Sequence, residues 1–268
     1  MKEVPEGYVR RTVGRAEVWS WSPTADQVAA LLEDHETLHD WASGVDGARA
    51  LQGRGTVWDV PAPGPGPEGR PRWAVRHFRR GGMMEPLLED RYVAGMDAPR
   101  PLAELYASVG VRARGIPTPA VVAAAMYPAG VFYRGDLVTE LIPDGTDLRE
   151  LLFAGADPRA EAALEETGRL VRRMELAGVY HPDLNAANLL LTVRTTGANE
   201  APGDATGLTV HLLDLDRCQT REGGTPAPRG PMRERLERSL RKLGAASDRP
   251  LSDGEWAALR RGFEADPR

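Results

Sequence analysis

The sequence predicts an α+β fold, with strands and one helix in the first half and longer helices afterwards. Alternating apolar residues near the start, "YVRRTVGRAEVWSW" (8–21), are typical of half-buried strands. Apolar residues at helical spacing predict a long helix over 157–179, which ends at Gly178. Strands and helices in separate runs favour α+β over α/β. With 268 residues, 41% of them hydrophobic, the chain can form one large domain or two small lobes that share a cleft.

The other elements follow from the same patterns and from breaks rich in Pro and Gly. The segment "PAPGPGPEGRPR" (61–72) suits neither a helix nor a central strand, so it is predicted as a long hairpin loop. In chain order, the predicted elements are strands within 8–21, a helix over 22–41, strands within 53–60 and 73–78, a helix over 100–110, strands over 120–128 and 130–142, the helix over 157–179, strands over 189–193 and 208–216, and helices over 231–244 and 252–264.

Bulk composition narrows the class of protein. A net charge of -5 with mixed signs gives no overall basic surface, so no nucleic-acid partner is predicted and an anionic ligand must meet a local basic patch. The charged start lacks the apolar core of a signal peptide, and the apolar runs are too short to span a membrane. The single cysteine, Cys218, agrees with a reducing compartment. We therefore expect a cytoplasmic or peripheral protein.

The stretch "HPDLNAANLLL" (181–191) has the order and spacing of a kinase catalytic loop, H-x-D-L-x-x-x-N. Asp183 is the candidate base for an acceptor hydroxyl, and Asn188 is a candidate magnesium ligand. A second metal ligand is expected at the end of the next strand, where Asp214 follows an apolar run. His181 is expected to brace the loop through a hydrogen bond. These residues predict a kinase with ATP and Mg²⁺ as cofactors.

The first half of the chain supplies candidates for nucleotide binding. Gly53 and Gly55 form a shortened glycine turn before a strand. Arg76 stands on the next strand where kinases usually have lysine, and its planar guanidinium would neutralise phosphate charge with a different geometry. Glu104, on the following helix, is the candidate partner of this cation.

The strand that ends at Glu140 and Leu141 precedes the long helices, where the adenine-binding hinge of a kinase belongs. Backbone groups of these residues are predicted to contact the adenine ring of ATP. The predicted domains are accordingly a nucleotide-binding lobe over 1–142, with an N-terminal extension, and a catalytic and acceptor-binding lobe over 143–268.

With these residues in place, the sequence resembles the bacterial lipopolysaccharide core sugar kinases, namely 3-deoxy-D-manno-octulosonic acid (Kdo) kinase and the heptose kinases. The resemblance covers most of 53–243, and its most specific parts are "RHFRRGG" (76–82) and "DLDR" (214–217). Two residues depart from the common pattern, Leu215 in place of Phe and Cys218 in place of Gly. The resemblance implies a compact bilobal protein-kinase-like fold with a truncated C-terminal lobe. Only 50 residues follow Cys218 (268 minus 218), too few for the activation segment and helical subdomain of a protein kinase.

The function implied by the resemblance is ATP-dependent phosphorylation of a sugar hydroxyl of the lipopolysaccharide inner core, in particular Kdo linked to lipid A. The protein is then expected in the cytoplasm, peripheral on the cytoplasmic face of the inner membrane, with a lipid-linked sugar as acceptor and no required protein partner. Basic residues suit such an anionic acceptor. The candidates for acceptor binding are Arg79, Arg80, Asp216, Arg217, Arg235, Arg238 and Lys242.

Three alternatives remain open from the sequence. A kinase of a small soluble acceptor, such as an aminoglycoside or choline, shares the same catalytic loop. A pseudokinase scaffold would bind nucleotide without transfer, although Asp183, Asn188 and Asp214 together argue against it. The stretch "HETLH" (35–39) is a literal H-E-x-x-H, which on a helix would hold zinc through His35 and His39, but the sequence offers no third ligand at family spacing.

Overall fold

The computed structural model describes residues 3–51, 57–78, 92–93, 98–193 and 207–266. Its contacts divide the chain into two compact units. Unit 1 consists of Met1–Val109 and Pro119–Leu141, and unit 2 consists of Gly110–Thr118 and Ile142–Arg268. Both helices and sheets are present, so the predicted α+β class is confirmed.

Unit 1 is built on an eight-stranded sheet in which every recorded pair is antiparallel. The strand order is β1-β2-β7-β8-β5-β4-β3, and β6 also pairs with β8. The strands are β1 (Tyr8–Val13), β2 (Ala16–Trp21), β3 (Arg49–Leu51), β4 (Val57–Pro61), β5 (Arg72–His77), β6 (Tyr92–Val93), β7 (Val121–Ala129) and β8 (Phe132–Glu140).

The predicted hairpins of this unit are confirmed. β7 and β8 pair antiparallel around a tight turn, in which Gly130 has φ of +67°, a conformation that glycine adopts without strain. β4 and β5 pair from Val57↔Arg76 to Pro61↔Arg72, so the Pro/Gly-rich segment is the loop between them. The strands β3 and β6 were not predicted, since two or three residues carry no readable alternation.

Helices cover both faces of this sheet. The helices α1 (Ala25–Asp34) and α2 (Leu38–Gly44) cover one face, where Trp41 and Trp73 meet edge to face in the core. Helix α3 (Arg100–Arg112) contributes Leu102 and Leu105 to a second apolar cluster on the other face. Since both faces are covered, β7 is buried almost throughout its first seven residues, not on alternate positions.

The prediction of one helix over 22–41 is wrong, because the chain forms two helices with a break between them. His35 is extended, with φ of -134° and ψ of 147°, and Thr37 caps α2 by accepting a hydrogen bond from the backbone N–H of Asp40 at 2.9 Å. The N–H of His39 donates to the buried carboxylate of Asp136 at 2.8 Å. His35 and His39 therefore do not share a helical face, which removes the geometry that the zinc alternative needs.

Unit 2 contains four helices among the described residues, with two small sheets. The helices are α4 (Leu148–Phe153), α5 (Ala160–Leu176), α6 (Pro231–Ala246) and α7 (Asp253–Glu264), and the strands are β9 (Thr146–Asp147), β10 (Val179–Tyr180), β11 (Leu189–Val193), β12 (Leu208–Leu212) and β13 (Gln219–Thr220). The sheets have the orders β12-β11-β9 and β10-β13.

The predicted helices of unit 2 are confirmed, with small shifts that their caps explain. Helix α5 begins three residues later than predicted, because the Asp157 carboxylate accepts from the backbone of Arg159 and forms a turn before it. The helix ends before Gly178, which has φ of +68°. Helix α7 begins with a complete capping box between Ser252 and Glu255. Within the part of the chain that the structure describes, no helix combines the length and apolar character needed to cross a bilayer.

Candidate functional site

The loop 181–188 connects β10 to β11 and carries the candidate base. Asn185 caps a short 3₁₀ turn by accepting from the N–H of Ala187 at 3.0 Å, and its Nδ2 donates to the backbone carbonyl of Asp183 at 2.8 Å. Asn188 donates its own Nδ2 to the same carbonyl at 3.3 Å. Two amide side chains thus hold the backbone of Asp183. Asn185 was missed from the sequence, although an Asn before three small or polar residues is a common cap signal.

Asn188 and Asp214 lie at the same end of the β11–β12 hairpin. Leu189 pairs with Leu212, and the carbonyl of Asn188 accepts from the N–H of Leu213 at 2.8 Å. The predicted strand over 208–216 therefore ends early, at Leu212. Asp214 follows in a left-handed conformation, with φ of +59°, which Asp tolerates better than most residues.

His181 joins the loop of the base to the loop of Asp214. Its Nε2 lies 3.0 Å from the backbone carbonyl of Asp214, so this nitrogen carries the proton and donates. Burial lowers the pKa of His181, and this effect outweighs the opposing hydrogen bond and carboxylates of Asp214, Asp183 and Asp216. The imidazole is therefore neutral, and the predicted brace is present as a hydrogen bond.

Two arginines lie against the carboxylate of Asp183. Arg217 donates its Nη1 to Oδ2, and Nη2 of Arg235 lies 3.7 Å from Oδ1. Both were predicted as acceptor-binding residues, and the structure brings both to the candidate base. Asp216, between Asp214 and Arg217, is half-buried.

Helix α6 presents its apolar residues inward and most of its cations outward. Met232, Leu236 and Leu240 are fully buried and form an apolar stripe along the helix. The stripe continues to Gly244, whereas Leu243 is only half-buried. The predicted cations Arg238 and Lys242 are exposed on the opposite side of the helix.

Arg233, on the same helix, was not singled out from the sequence. It donates to the buried carboxylate of Glu175 through Nε at 2.9 Å and Nη2 at 2.8 Å, and to Glu264 at 2.6 Å. The hydrogen bonds to Glu175 and Glu264 raise its pKa above the usual value. Arg233 therefore links α5, α6 and α7, and its role is structural.

In unit 1, the structure brings Arg76 and Glu104 together. Arg76, on β5, donates its Nη2 to the buried carboxylate of Glu104, on α3. The guanidinium carbon also lies 4.6 Å from the ring centre of Phe78. The cation on the strand is thus oriented by a glutamate on the helix, the arrangement that the kinase template requires.

The backbone of the predicted hinge is already engaged in the sheet. The N–H of Glu140 donates to the carbonyl of Ala120 at 2.8 Å, and that of Leu141 donates to the carbonyl of Arg72 at 2.9 Å. Neither N–H can bind adenine without breaking these hydrogen bonds. The predicted contacts of the hinge with adenine are therefore limited to the carbonyl oxygens of Glu140 and Leu141. The buried Glu140 carboxylate instead holds the Pro/Gly-rich loop, by accepting from the N–H groups of Glu68 at 2.8 Å and Arg70 at 2.9 Å. The remaining candidates, Gly53, Gly55, Arg79 and Arg80, lie outside the described residues.

Comparisons with known proteins point to one family. The family model of the lipopolysaccharide kinase (Kdo/WaaP) family matches residues 39–263. The chain is 35% identical over 238 residues to a 3-deoxy-D-manno-octulosonic acid kinase of Photobacterium profundum, which covers 87% of this chain and 91% of that protein. It is 32% identical over 250 residues to a protein of the same description from Stenotrophomonas maltophilia, with 88% and 90% covered. A solved structure described as WaaP in complex with acyl carrier protein aligns with 20% identity and a TM-score of 0.48, over 84% of this chain and 83% of that one.

Proposed function

The chain belongs to the lipopolysaccharide kinase (Kdo/WaaP) family, as the sequence predicted, and on this premise we propose that it transfers the γ-phosphoryl group of ATP to a hydroxyl of Kdo in the lipopolysaccharide inner core. The observation that carries the proposal is the arrangement around Asp183. Asn185 and Asn188 hold its carbonyl, and its side chain remains partly exposed to an acceptor.

In this proposal, Asp183 is the catalytic residue that receives the proton of the acceptor hydroxyl. The acceptor oxygen forms a bond to the γ-phosphorus while the bond from phosphorus to the bridging oxygen breaks, and ADP leaves with the electron pair. The two amide contacts fix the backbone of Asp183, and with it the position from which its side chain extends, before the acceptor binds.

Asn188 and Asp214 are the proposed ligands of Mg²⁺, which would neutralise charge on the phosphates. Asn188 uses its Nδ2 to donate to Asp183, which leaves its side-chain oxygen as the acceptor end, and Asp214 is exposed at the same end of the hairpin. Oxygen donors of this kind suit a hard cation. The donor set therefore fits the metal.

The nucleotide is proposed to contact Arg76, oriented by Glu104, together with Gly53, Gly55 and the carbonyl oxygens of the hinge. A planar guanidinium can bind two phosphate oxygens at once. We further propose that residues 1–142 bind nucleotide and residues 143–268 carry the base and bind the acceptor.

The acceptor is proposed to be lipid-linked, and the protein to be peripheral on the cytoplasmic face of the inner membrane. The exposed cations Arg238 and Lys242 support this proposal, because anionic sugars and lipid surfaces attract basic residues and salt weakens the attraction.

The direct test is phosphoryl transfer by the purified protein from labelled ATP to Kdo linked to lipid A. Heptosylated core, an aminoglycoside panel and choline are the comparison acceptors. Asp183→Asn should lower the turnover with the Kdo acceptor by about 100-fold or more, because it removes the proton acceptor, while ATP binding stays near that of the wild type. Asp46→Asn, at an exposed carboxylate in unit 1, is the control and should keep full turnover.

The alternatives give different results in this assay. Transfer to an aminoglycoside or choline, with none to Kdo, would identify a kinase of a small soluble acceptor. ATP binding without transfer to any acceptor would identify a pseudokinase. Near-normal turnover by Asp183→Asn would mean that another group is the base.

A further inference from the structure

The carboxylate of Asp183 lies between two guanidinium groups. Arg217 donates to one of its oxygens, and Arg235 lies 3.7 Å from the other. An acceptor hydroxyl that has to donate its proton to Asp183 must therefore compete with two cations for the same carboxylate. The contacts also place two positive charges against one negative charge.

These two ion pairs are exposed to water, so another anion can replace Asp183 as the partner of either arginine. The side chains of Arg217, Asp183 and Arg235 are 62%, 41% and 39% exposed, and ion pairs that water reaches contribute little to folding stability. The ion pair between Arg233 and Glu175 is different. Arg233 is on α6, like Arg235, and Glu175 is on α5, and their side chains are only 16% and 1% exposed. Arg233 is committed to the fold, whereas Arg217 and Arg235 remain available for an incoming anion.

A sugar acid is an anion of the right kind. The relatives of this chain are kinases of 3-deoxy-D-manno-octulosonic acid, which carries a carboxylate at neutral pH. Guanidinium groups bind carboxylates through two parallel hydrogen bonds, the strongest common geometry for this pair. A carboxylate of the acceptor can thus offer Arg217 and Arg235 the same contacts that Asp183 offers in its absence.

We propose that the carboxylate of the acceptor takes over Arg217 and Arg235 from Asp183, and that this exchange both orients the acceptor and releases Asp183 to accept the hydroxyl proton. The proposal rests on the proposed function and names the group by which the site selects its substrate. No bond is made or broken in the exchange, because one carboxylate replaces another as the partner of the two arginines. An uncharged sugar lacks the anion that drives the exchange, so it should react slowly even when it saturates the enzyme.

The test compares the methyl glycoside of Kdo with the methyl ester of the same glycoside, in which the carboxylate is uncharged. Neither compound contains phosphate. With the wild-type protein, the ester should have a kcat/KM lower by on the order of 10- to 100-fold, and its kcat should also fall. In the variant with Arg217→Gln and Arg235→Gln, kcat/KM for the acid should fall to that for the ester, so that the ratio of the two approaches one. The variant with Arg217→Lys alone should keep part of the wild-type ratio of acid to ester, since lysine keeps the charge but loses the planar fork.

Arg241→Gln is the matched control. Arg241 is on the same helix, pairs with Glu237 at 2.9 Å and lies over the ring of Trp256, away from the contacts of Asp183. This variant should keep the wild-type ratio of acid to ester. The KM for ATP should be unchanged in all variants, which separates acceptor selection from nucleotide binding.

Three results would overturn the inference while leaving the proposed function in place. The first is equal use of acid and ester by the wild type, and the second is an unchanged ratio of acid to ester in the double variant. The third is full use of the ester once it is linked to phosphorylated lipid A. This third result would mean that the two arginines bind phosphate. If only Kdo linked to lipid A is phosphorylated, the acid and its methyl ester are compared on that lipid-linked sugar. Absence of transfer to every Kdo compound would instead refute the proposed function, and the inference with it.

Discussion

At the scale of single residues, the buried imidazole of His181 connects the two loops that carry the candidate base and a candidate metal ligand. It is neutral and donates from Nε2 to the carbonyl of Asp214. Burial lowers its pKa relative to the unfolded chain, so between the two pKa values the unfolded chain binds the additional proton. The stability that depends on the neutral ring is fully present above the unfolded pKa of about 6.5, and it is lost as the pH falls through the lower folded pKa.

We therefore expect the stability advantage of the wild type over His181→Gln to shrink in mild acid. The difference in thermal midpoint should be constant between about pH 7.5 and 8.5 and should decrease as the pH falls below about 6.5. Circular dichroism across this range measures it. Carboxylates elsewhere titrate equally in both proteins, so they cancel in the difference. A difference that stays constant down to about pH 5 would show that the ring does not carry the pH dependence.

At the scale of secondary-structure elements, α5 and α7 approach each other through glycines. A Cβ atom built on Gly168 would lie 2.8 Å from the Cα of Gly262, and a Cβ on Gly262 would lie 2.8 Å from the Cα of Gly168. Backbone atoms cannot move aside as a flexible side chain can, so the two helices must separate to admit a methyl group.

Gly262→Ala should therefore lower the free energy of unfolding by about 2 kcal/mol, even though alanine is the better helix former by about 1 kcal/mol. Urea unfolding followed by circular dichroism measures the change. Gly155→Ala is the control, because no atom lies within 4 Å of the added methyl group and the backbone there is not left-handed. A loss equal to that of the control would mean that the helices accommodate the methyl group without separating.

At the scale of the whole molecule, ligand binding should stabilise the folded chain by mass action. Mg²⁺ and ATP at 100 times the dissociation constant should stabilise it by about 2.7 kcal/mol. Asp214→Ala and Asn188→Ala should each reduce the thermal shift caused by ATP with Mg²⁺, because each removes an oxygen ligand of the metal. Asp266→Ala, at an exposed carboxylate, is the control and should keep the full shift.

Thermal shifts measured with ATP in the presence of a chelator separate the stabilising effect of the metal from that of the nucleotide. Without Mg²⁺, the two variants and the wild type should show the same shift. Full magnesium dependence in both variants would contradict the assignment of these ligands.

Local features of the chain were predictable wherever a short segment carries the information. Asp183, Asn188 and the strand behind them are adjacent in sequence, so their spacing was sufficient to predict a catalytic loop. The pairing of Arg76 with Glu104 followed from a template in which a strand cation meets a helix glutamate, and the structure contains the contact. The break between α1 and α2 was missed, because apolar periodicity runs across it while the cap at Thr37 and the distant Asp136 interrupt the helix.

The sequence by itself determined the family and the α+β class, and it predicted the loop around Asp183 as the catalytic loop, because periodicity and short spacings depend only on neighbouring residues. Only the tertiary structure decided which distant charges meet. Glu140 holds a loop whose residues lie 70 and 72 positions away, Arg233 is committed to Glu175, and Arg235 reaches Asp183 from another element. Arg233 and Arg235 are two residues apart on one helix and look alike in sequence. Their contacts differ because Arg233 faces a buried carboxylate and Arg235 a partly exposed one, and burial is a property of the fold.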